Sequence, residues 1–257
     1  MGGALARALR ARGEARVIGT TRSPATAAAA ARRLEIEVGS DNAALARESD
    51  VIVVCVKPHQ ARAVVEALAG ALDGKLLVSV CAAVTTADLR AWSGERAAVV
   101  RAMPNTPCFV GAGMTALCAG AATSAEHLET ATRLFASVGR TAVLDETLMD
   151  AVTGLSGCGP AYVFLIVEAL ADAGVKLGID RATATLLAAQ TLLGAAQLVL
   201  ERGVHPAVLK DEVTTPGGCT VDGLAALEAG GLRSTLFDGV RAAASRSRTL
   251  RGETPLP

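Results

Sequence analysis

Up to about residue 145, short apolar runs alternate with stretches of helical pattern, and beyond that point the short runs stop. No other feature of the chain restricts its fold so strongly. Arg16 to Gly19, Val51 to Val56, Leu76 to Val80, Ala97 to Ala102 and Thr115 to Cys118 read as strands, and helical stretches begin between them near Pro24, Asp41, His59, Thr85 and Ser124. Strand and helix in turn give a parallel sheet with helices on both faces, because each crossover helix buries its apolar stripe against the sheet. Past residue 145 the pattern is helical, broken at Gly178, Gly203, Pro216 and Gly230-Gly231. The expected fold class is α/β: a sheet domain over 1–145 and an all-helical domain over 146–257, in a chain long enough to bury a large core.

Composition narrows the range of partners. Formal net charge is zero, aromatics make up 2%, and no basic tract occurs, so the electrostatic footprint of a nucleic-acid binder is missing. The six cysteines, at 55, 81, 108, 118, 158 and 219, form no Cys-x-x-Cys pair. They read as small buried apolar residues of a reducing compartment, with neither a metal site nor a disulfide framework expected. Cys158 and Cys219 lie near candidate chemistry, yet none of His59, His127 and His205 stands in a partner motif for a thiol nucleophile. The N-terminus has neither a basic region nor an apolar signal core, so a cytoplasmic location is expected. Ala182 to Leu200 is uncharged and reaches membrane-spanning length, but Thr183, Thr185, Gln190, Thr191 and Gln197 are spread among its alanines. A helix buried in protein fits better than one in a membrane. The run from Tyr162 to Val175 is apolar around most of its circumference, and the pair reads as a subunit interface.

Chemistry concentrates in a few loops. In Leu209 to Leu227, Pro216-Gly217-Gly218 stands immediately before a helical pattern. Two glycines can turn the backbone so that the amides of Gly218, Cys219 and Thr220 point outward together at a helix N-terminus, where the dipole favours a carboxylate or phosphate. The hydroxyls of Thr214, Thr215 and Thr220 are within reach of the same ligand; an isolated Pro-Gly-Gly is otherwise a plain turn. A second block, Leu155-Ser156-Gly157-Cys158-Gly159-Pro160-Ala161-Tyr162, uses glycines for close approach and Pro160 for the first turn of a helix. At the start of the chain, Met1-Gly2-Gly3-Ala4-Leu5 looks like the end of a Gly-x-Gly-x-x-Gly turn running into its helix. The strand ending at Gly19 leads to Thr20-Thr21-Arg22-Ser23, with no acid for a ribose diol. Hydroxyls and Arg22 there accept a 2′-phosphate, which favours NADPH while leaving NADH open; a polar loop is the plainer reading. Lys57-Pro58-His59 and Met103-Pro104-Asn105-Thr106-Pro107 follow strands, at the ends where ligands of such sheets bind.

The threonine block and the Ser156 to Tyr162 block together resemble the signatures of the pyrroline-5-carboxylate reductase family. The resemblance runs from Gly2 to about Arg251 and takes in Val56-Lys57-Pro58, the Met103 to Pro107 loop and Cys81-Ala82-Ala83-Val84-Thr85. Gly commonly stands in the family where this chain has Ala83. Gly2 matches the third glycine of the family's nucleotide turn, with the first strand and two glycines falling before Met1, so an open central position in the sheet is expected. The resemblance implies a Rossmann-like domain and a helical dimerisation domain that completes the substrate site, with larger assemblies of dimers known in the family. Its implied reaction is reduction of a cyclic imine, 1-pyrroline-5-carboxylate, to L-proline by hydride from nicotinamide C4. Carried over, the cofactor-binding residues are Gly2, Thr20, Thr21, Arg22, Val56, Lys57, Pro58, Ala82, Ala83 and Asn105. The substrate-binding residues are Thr215, Gly217, Gly218, Cys219, Thr220 and Gly157, and Thr220 and Ser156 are the catalytic candidates. No general acid stands out, so orientation of donor and acceptor is expected to carry the rate, with solvent or the iminium supplying the proton. Two other readings stay open: a related NADP-dependent reductase of a β-hydroxy acid or another cyclic imine, for which Lys176 and Lys210 stand in no matching motif, and a non-catalytic dimeric scaffold.

Overall fold

The computed structural model describes residues 1–13 and 15–255. They form two compact units, Met1–Cys158 together with the chain from Arg241 onward, and Gly159–Val240. The first unit runs α1 (Gly2–Arg12), β1 (Ile18–Thr20), α2 (Pro24–Leu34), β2 (Glu37–Gly39), α3 (Asn42–Glu48), β3 (Val51–Val54), α4 (Pro58–Leu68) and β4 (Leu76–Ser79). It continues with α5 (Thr86–Trp92), β5 (Ala98–Pro104), β6 (Gly113–Ala119), α6 (Ala125–Ala136) and β7 (Gly139–Val143). Side chains start several of these helices where the sequence places them. Ser23, Thr85 and Ser124 close capping boxes on α2, α5 and α6, and Asp41 accepts from the amides of Ala43 and Ala44.

β1 and β2 pair parallel as a two-stranded sheet, while β3-β4-β5-β6-β7 form a five-stranded one. The pairing divides between β1 and β3, where the open central position is expected. All five expected strands are present with shifted ends: the first begins at Ile18, not Arg16, the second stops at Val54, and the last extends to Gly113–Ala119. β2 and β7 have no counterpart in the sequence reading because neither buries a side chain, so neither leaves an apolar run. One ladder departs from a purely parallel sheet. β5 and β6 are antiparallel because only the short 3₁₀ segment Thr106–Val110 connects them, too little chain for a crossover helix.

Alternation along the strands builds two cores. Ile52, Val54, Leu77 and Val99 pack on one face with Ala61 and Val65 of α4 and Leu89 of α5. Leu76, Val78, Ala98 and Val100 pack on the other face with Leu5 of α1 and Phe135 of α6. Both faces are covered, as a strand buried on two sides requires.

Past β7, α7 (Met149–Val152) runs through a π-helical turn, Thr153–Gly157, into α8 (Gly159–Lys176). The second unit then contains α9 (Arg181–Arg202), α10 (Pro206–Glu212) and α11 (Cys219–Ala229), and α12 (Leu232–Thr249) returns to the first. α8 and α9 meet through small residues, Ala171, Ala184 and Ala188, with Gly174 packed against Ala184. Much larger apolar side chains stay uncovered within the chain, including Phe164 (66% exposed), Leu186 (67%) and Phe237 (79%). The helices Glu146–Lys176 and Arg181–Arg202 are long and apolar enough to cross a membrane by length and composition. Cys81, Cys108 and Cys118 are buried as expected, but Cys55 and Cys219 are exposed, because one follows the end of β3 and the other opens a helix at the surface.

Candidate active site

The helix that opens the chain starts in tight contact with the sheet. A Cβ on Gly2 would lie 3.2 Å from Cys55 Cβ and 3.3 Å from its Sγ, tighter than ordinary packing, so a side chain there makes Cys55 or α1 give way slightly. Close helix-strand packing is the role of the third glycine in a nucleotide turn. Beyond β1, Thr20 Oγ1 donates to Asn42 Oδ1 at 2.6 Å, and the Thr21 hydroxyl lies 3.0 Å from that of Thr26. Arg22 is exposed and makes no ion pair among the described residues. Asp41, beside Asn42, is occupied as the cap of α3, and the Ala44 amide holds its carboxyl below the usual carboxylate range. The end of β1 therefore presents hydroxyls and a guanidinium.

The loops after β3 and β4 are tied together, since Cys81 Sγ donates to the carbonyl of Val56 at 3.3 Å. Lys57 and Pro58 form the start of α4 with Lys57 exposed. Ala82 and Ala83 are half-buried, and Ala83 has φ of +58°, a left-handed conformation. A Cβ in that region costs roughly 1 kcal/mol or more relative to glycine, which accounts physically for the glycine common at this position in the resembling family.

A third cluster joins the Met103 to Pro107 loop to the π turn. Asn105 Nδ2 donates to the carbonyl of Ser156 at 3.2 Å and to its Oγ at 3.4 Å, while Asn105 Oδ1 accepts from the amide of Met114 at 2.9 Å. The amide of Asn105 is thus fixed at both ends, turned toward Ser156. A Cβ on Gly157 would sit 2.6 Å from Met103 Cε, so a side chain there displaces the end of Met103 where the loop and the turn meet. The turn is closed by the Cys158 amide donating to Thr153 O at 2.9 Å. Insertions of this kind are frequent at functional sites.

β5 also carries a network that sequence reading passed over. Arg101 of β5 is 1% exposed and donates to Glu146 Oε1 at 3.2 Å; Glu146 also accepts from the amide and hydroxyl of Thr86. Arg101 Nη2 and Thr115 Oγ1 have no hydrogen-bond partner among the described residues. An arginine inside the apolar run Ala97 to Ala102 was the available signal. Burial pushes the neighbouring Cys118 thiol up to about 12, so it stays protonated.

In the second unit, the Pro-Gly-Gly segment forms the expected turn with one correction. The Gly218 amide is not free for a ligand: it donates to Thr215 O at 3.0 Å and closes the turn. Gly217 has φ of +69°, and a Cβ on Gly218 would lie 2.4 Å from Thr215 Oγ1, so both positions require glycine. The amides of Cys219 and Thr220, the first two of α11, have no partner among the described residues. Thr214 Oγ1 donates to Lys210 O and is occupied in α10's last turn. Thr215 to Thr220 belong to the second unit, whereas Ser156, Gly157 and all the nucleotide-end residues belong to the first.

Residues 146–250 match the family model described as pyrroline-5-carboxylate reductase dimerisation, and residues 1–83 match that of NADP oxidoreductase, coenzyme F420-dependent. A pyrroline-5-carboxylate reductase of Synechocystis sp. is 46% identical over 216 residues, covering 84% of this chain and 80% of its own. A pyrroline-5-carboxylate reductase structure from Coxiella burnetii superposes with a TM-score of 0.91 at 35% identity, covering 97% of this chain and 94% of its own. The pyrroline carboxylate reductase of Plasmodium falciparum, solved with NADP bound, gives 0.87 at 33% identity over 98% of this chain and 94% of its own. With tightly packed glycines at Gly2 and Gly157, a glycine turn capping α11 and this extent of likeness, the chain belongs to the pyrroline-5-carboxylate reductase family.

Proposed function

We propose that the chain reduces 1-pyrroline-5-carboxylate to L-proline with NADPH, the last step of proline biosynthesis. The observation that carries this reading is the opening of α11, where the Gly217-Gly218 turn leads into the Cys219 and Thr220 amides, which have no partner among the described residues at a helix N-terminus. Those amides, with the hydroxyls of Thr215 and Thr220, hold the substrate carboxylate. Gly217 and Gly218 shape the turn. Ser156 and Gly157 form a wall for the imine ring, and Thr220 with Ser156 are the groups closest to the chemistry.

The residues of the first unit fit a dinucleotide. Gly2 brings α1 close to β3, the place of the third glycine of a nucleotide turn. Thr20, Thr21 and Arg22 receive the 2′-phosphate; Val56, Lys57, Pro58, Ala82, Ala83 and Asn105 line the path toward the nicotinamide end. A nicotinamide bound there supplies the hydride for the imine carbon. The protein's share is orientation, and the proton comes from solvent or from the iminium itself.

In this reading residues 1–145 are the nucleotide domain and 146–257 the dimerisation and substrate domain, in a cytoplasmic homodimer joined through the C-terminal helices. The uncovered Phe164, Leu186 and Phe237 and the match of 146–250 to a dimerisation family support that assembly. The cofactor assignment is tested by Arg22→Ala. It is expected to lower kcat/KM for NADPH by about tenfold, the loss of one charge-assisted hydrogen bond to phosphate, while leaving NADH unaffected. Equal losses with both cofactors contradict it.

A further inference from the structure

The reaction as read above makes no use of Asp150, yet few side chains of the first unit are held as fully. Asp150 is 6% exposed and accepts three hydrogen bonds, from Ser247 Oγ at 2.7 Å, Arg251 Nη1 at 2.9 Å and Arg251 Nη2 at 2.6 Å. The two bonds from Arg251 reach the two carboxylate oxygens separately, the paired geometry that fixes orientation as well as distance. Arg251 is steadied in turn by Glu253. Ser247 lies in the last turn of α12 and Arg251 just beyond it, so the end of the chain is fastened to α7.

Position gives this fastening its meaning. α7 is a single turn that continues directly into the π turn carrying Ser156 and Gly157. A π turn holds one residue more than an α turn, and relaxing it slides the register by one residue, which rotates the following side chains by about 100°. Holding the register takes an anchor on each side of the turn. Asn105 holds Ser156 itself, and Asp150 holds the turn before it. Buried ion pairs contribute little to stability relative to apolar packing, and their best-attested use is to fix a register.

We propose that Asp150, Ser247 and Arg251 form a clamp that positions Ser156 in the imino-acid site by holding the register of the π turn. They are positioning residues, acting through the backbone of α7. The inference rests on the reading of Ser156 as a wall of that site.

The test compares Asp150→Asn, Arg251→Gln and the double variant D150N/R251Q in the full chain. Asp150→Asn leaves Arg251 with Glu253 as its remaining acid, and Arg251→Gln leaves the buried Asp150 carboxylate without its cation; the double variant restores a neutral hydrogen-bonded pair at position 150. Each single substitution is expected to raise KM for 1-pyrroline-5-carboxylate by at least about tenfold, as misplacement of a positioned group does, with KM for NADPH unchanged. The double variant recovers most of that loss. Ser247→Ala keeps the ion pair and gives the same signature at smaller size, which covers the case of a charge variant that does not fold. In hydrogen exchange, the amides of residues 153–158 exchange faster in the single variants while those of β4 and β5 do not change. Folded single variants with unchanged KM and unchanged exchange, or a double variant that loses the sum of the two, overturn the clamp. Failure of the unmodified chain to reduce the imine refutes the functional reading instead, and the exchange measurement still decides the clamp.

Discussion

The two units use similar apolar side chains in opposite ways. In the first, sheet and helices close over Leu77, Val100 and Phe135 and leave them fully buried. In the second, the contact of α8 with α9 is made by alanines and a glycine, while Phe164, Leu186 and Phe237 face outward. The first unit therefore contains its own core, and the second leaves large apolar side chains uncovered within the chain. Polar function follows the same division. The residues proposed for the nucleotide sit at the ends of strands fixed by that core, whereas the turn before α11, proposed for the substrate carboxylate, is shaped by local backbone constraints at Gly217 and Gly218.

The largest expected effect sharpens this contrast. Phe135→Ala should destabilise the first unit by about 4 kcal/mol, the combined transfer and cavity cost of a fully buried aromatic. Leu186→Arg should leave folding at low concentration nearly unchanged and shift sedimentation toward monomer; an unaltered assembly would break the assignment of α9 to the subunit interface. Next comes Gly218→Ala. Its Cβ would clash with the Thr215 hydroxyl, so KM for the imino acid should rise by at least about tenfold while the first unit's stability stays as it is. Ala83→Gly runs the other way: relief of the left-handed conformation should stabilise the first unit by about 1 kcal/mol, read as a raised Tm. The smallest effect is in pH. Asp41 in the first unit and Asp180 in the second are held below the usual carboxylate range by hydrogen bonds from Ala44 and Thr183, respectively. Their stabilisation is complete above the ordinary carboxylate pKa and is lost as pH falls through the lower folded-state values, so thermal melts should be flat near neutrality and weaken only in strong acid.

The contrast also explains what could be read from the sequence. Strands buried on both faces leave continuous apolar runs, and those at Val51, Leu76 and Ala98 were legible. β2 and β7 bury no side chain and left no such run. At the site, glycines were legible because turns and close approaches demand them, and Gly2, Gly157, Gly217 and Gly218 all prove constrained in space or in φ. The engagement of the Gly218 amide was not legible, since it depends on how tightly the turn closes on Thr215. Partners distant in sequence escaped as well. Nothing near Asp150 announces Arg251 about a hundred positions later, and nothing near Asn105 announces its bonds to Ser156.

The account turns on α11 as the seat of the substrate carboxylate, and the most direct test is NADPH oxidation with 1-pyrroline-5-carboxylate by the chain and by its Thr220→Ala variant. The account predicts proline formation by the unmodified chain and a loss of at least about tenfold in kcat/KM for the imino acid in the variant, with KM for NADPH unchanged. A Thr220→Ala protein with undiminished kcat/KM would contradict it.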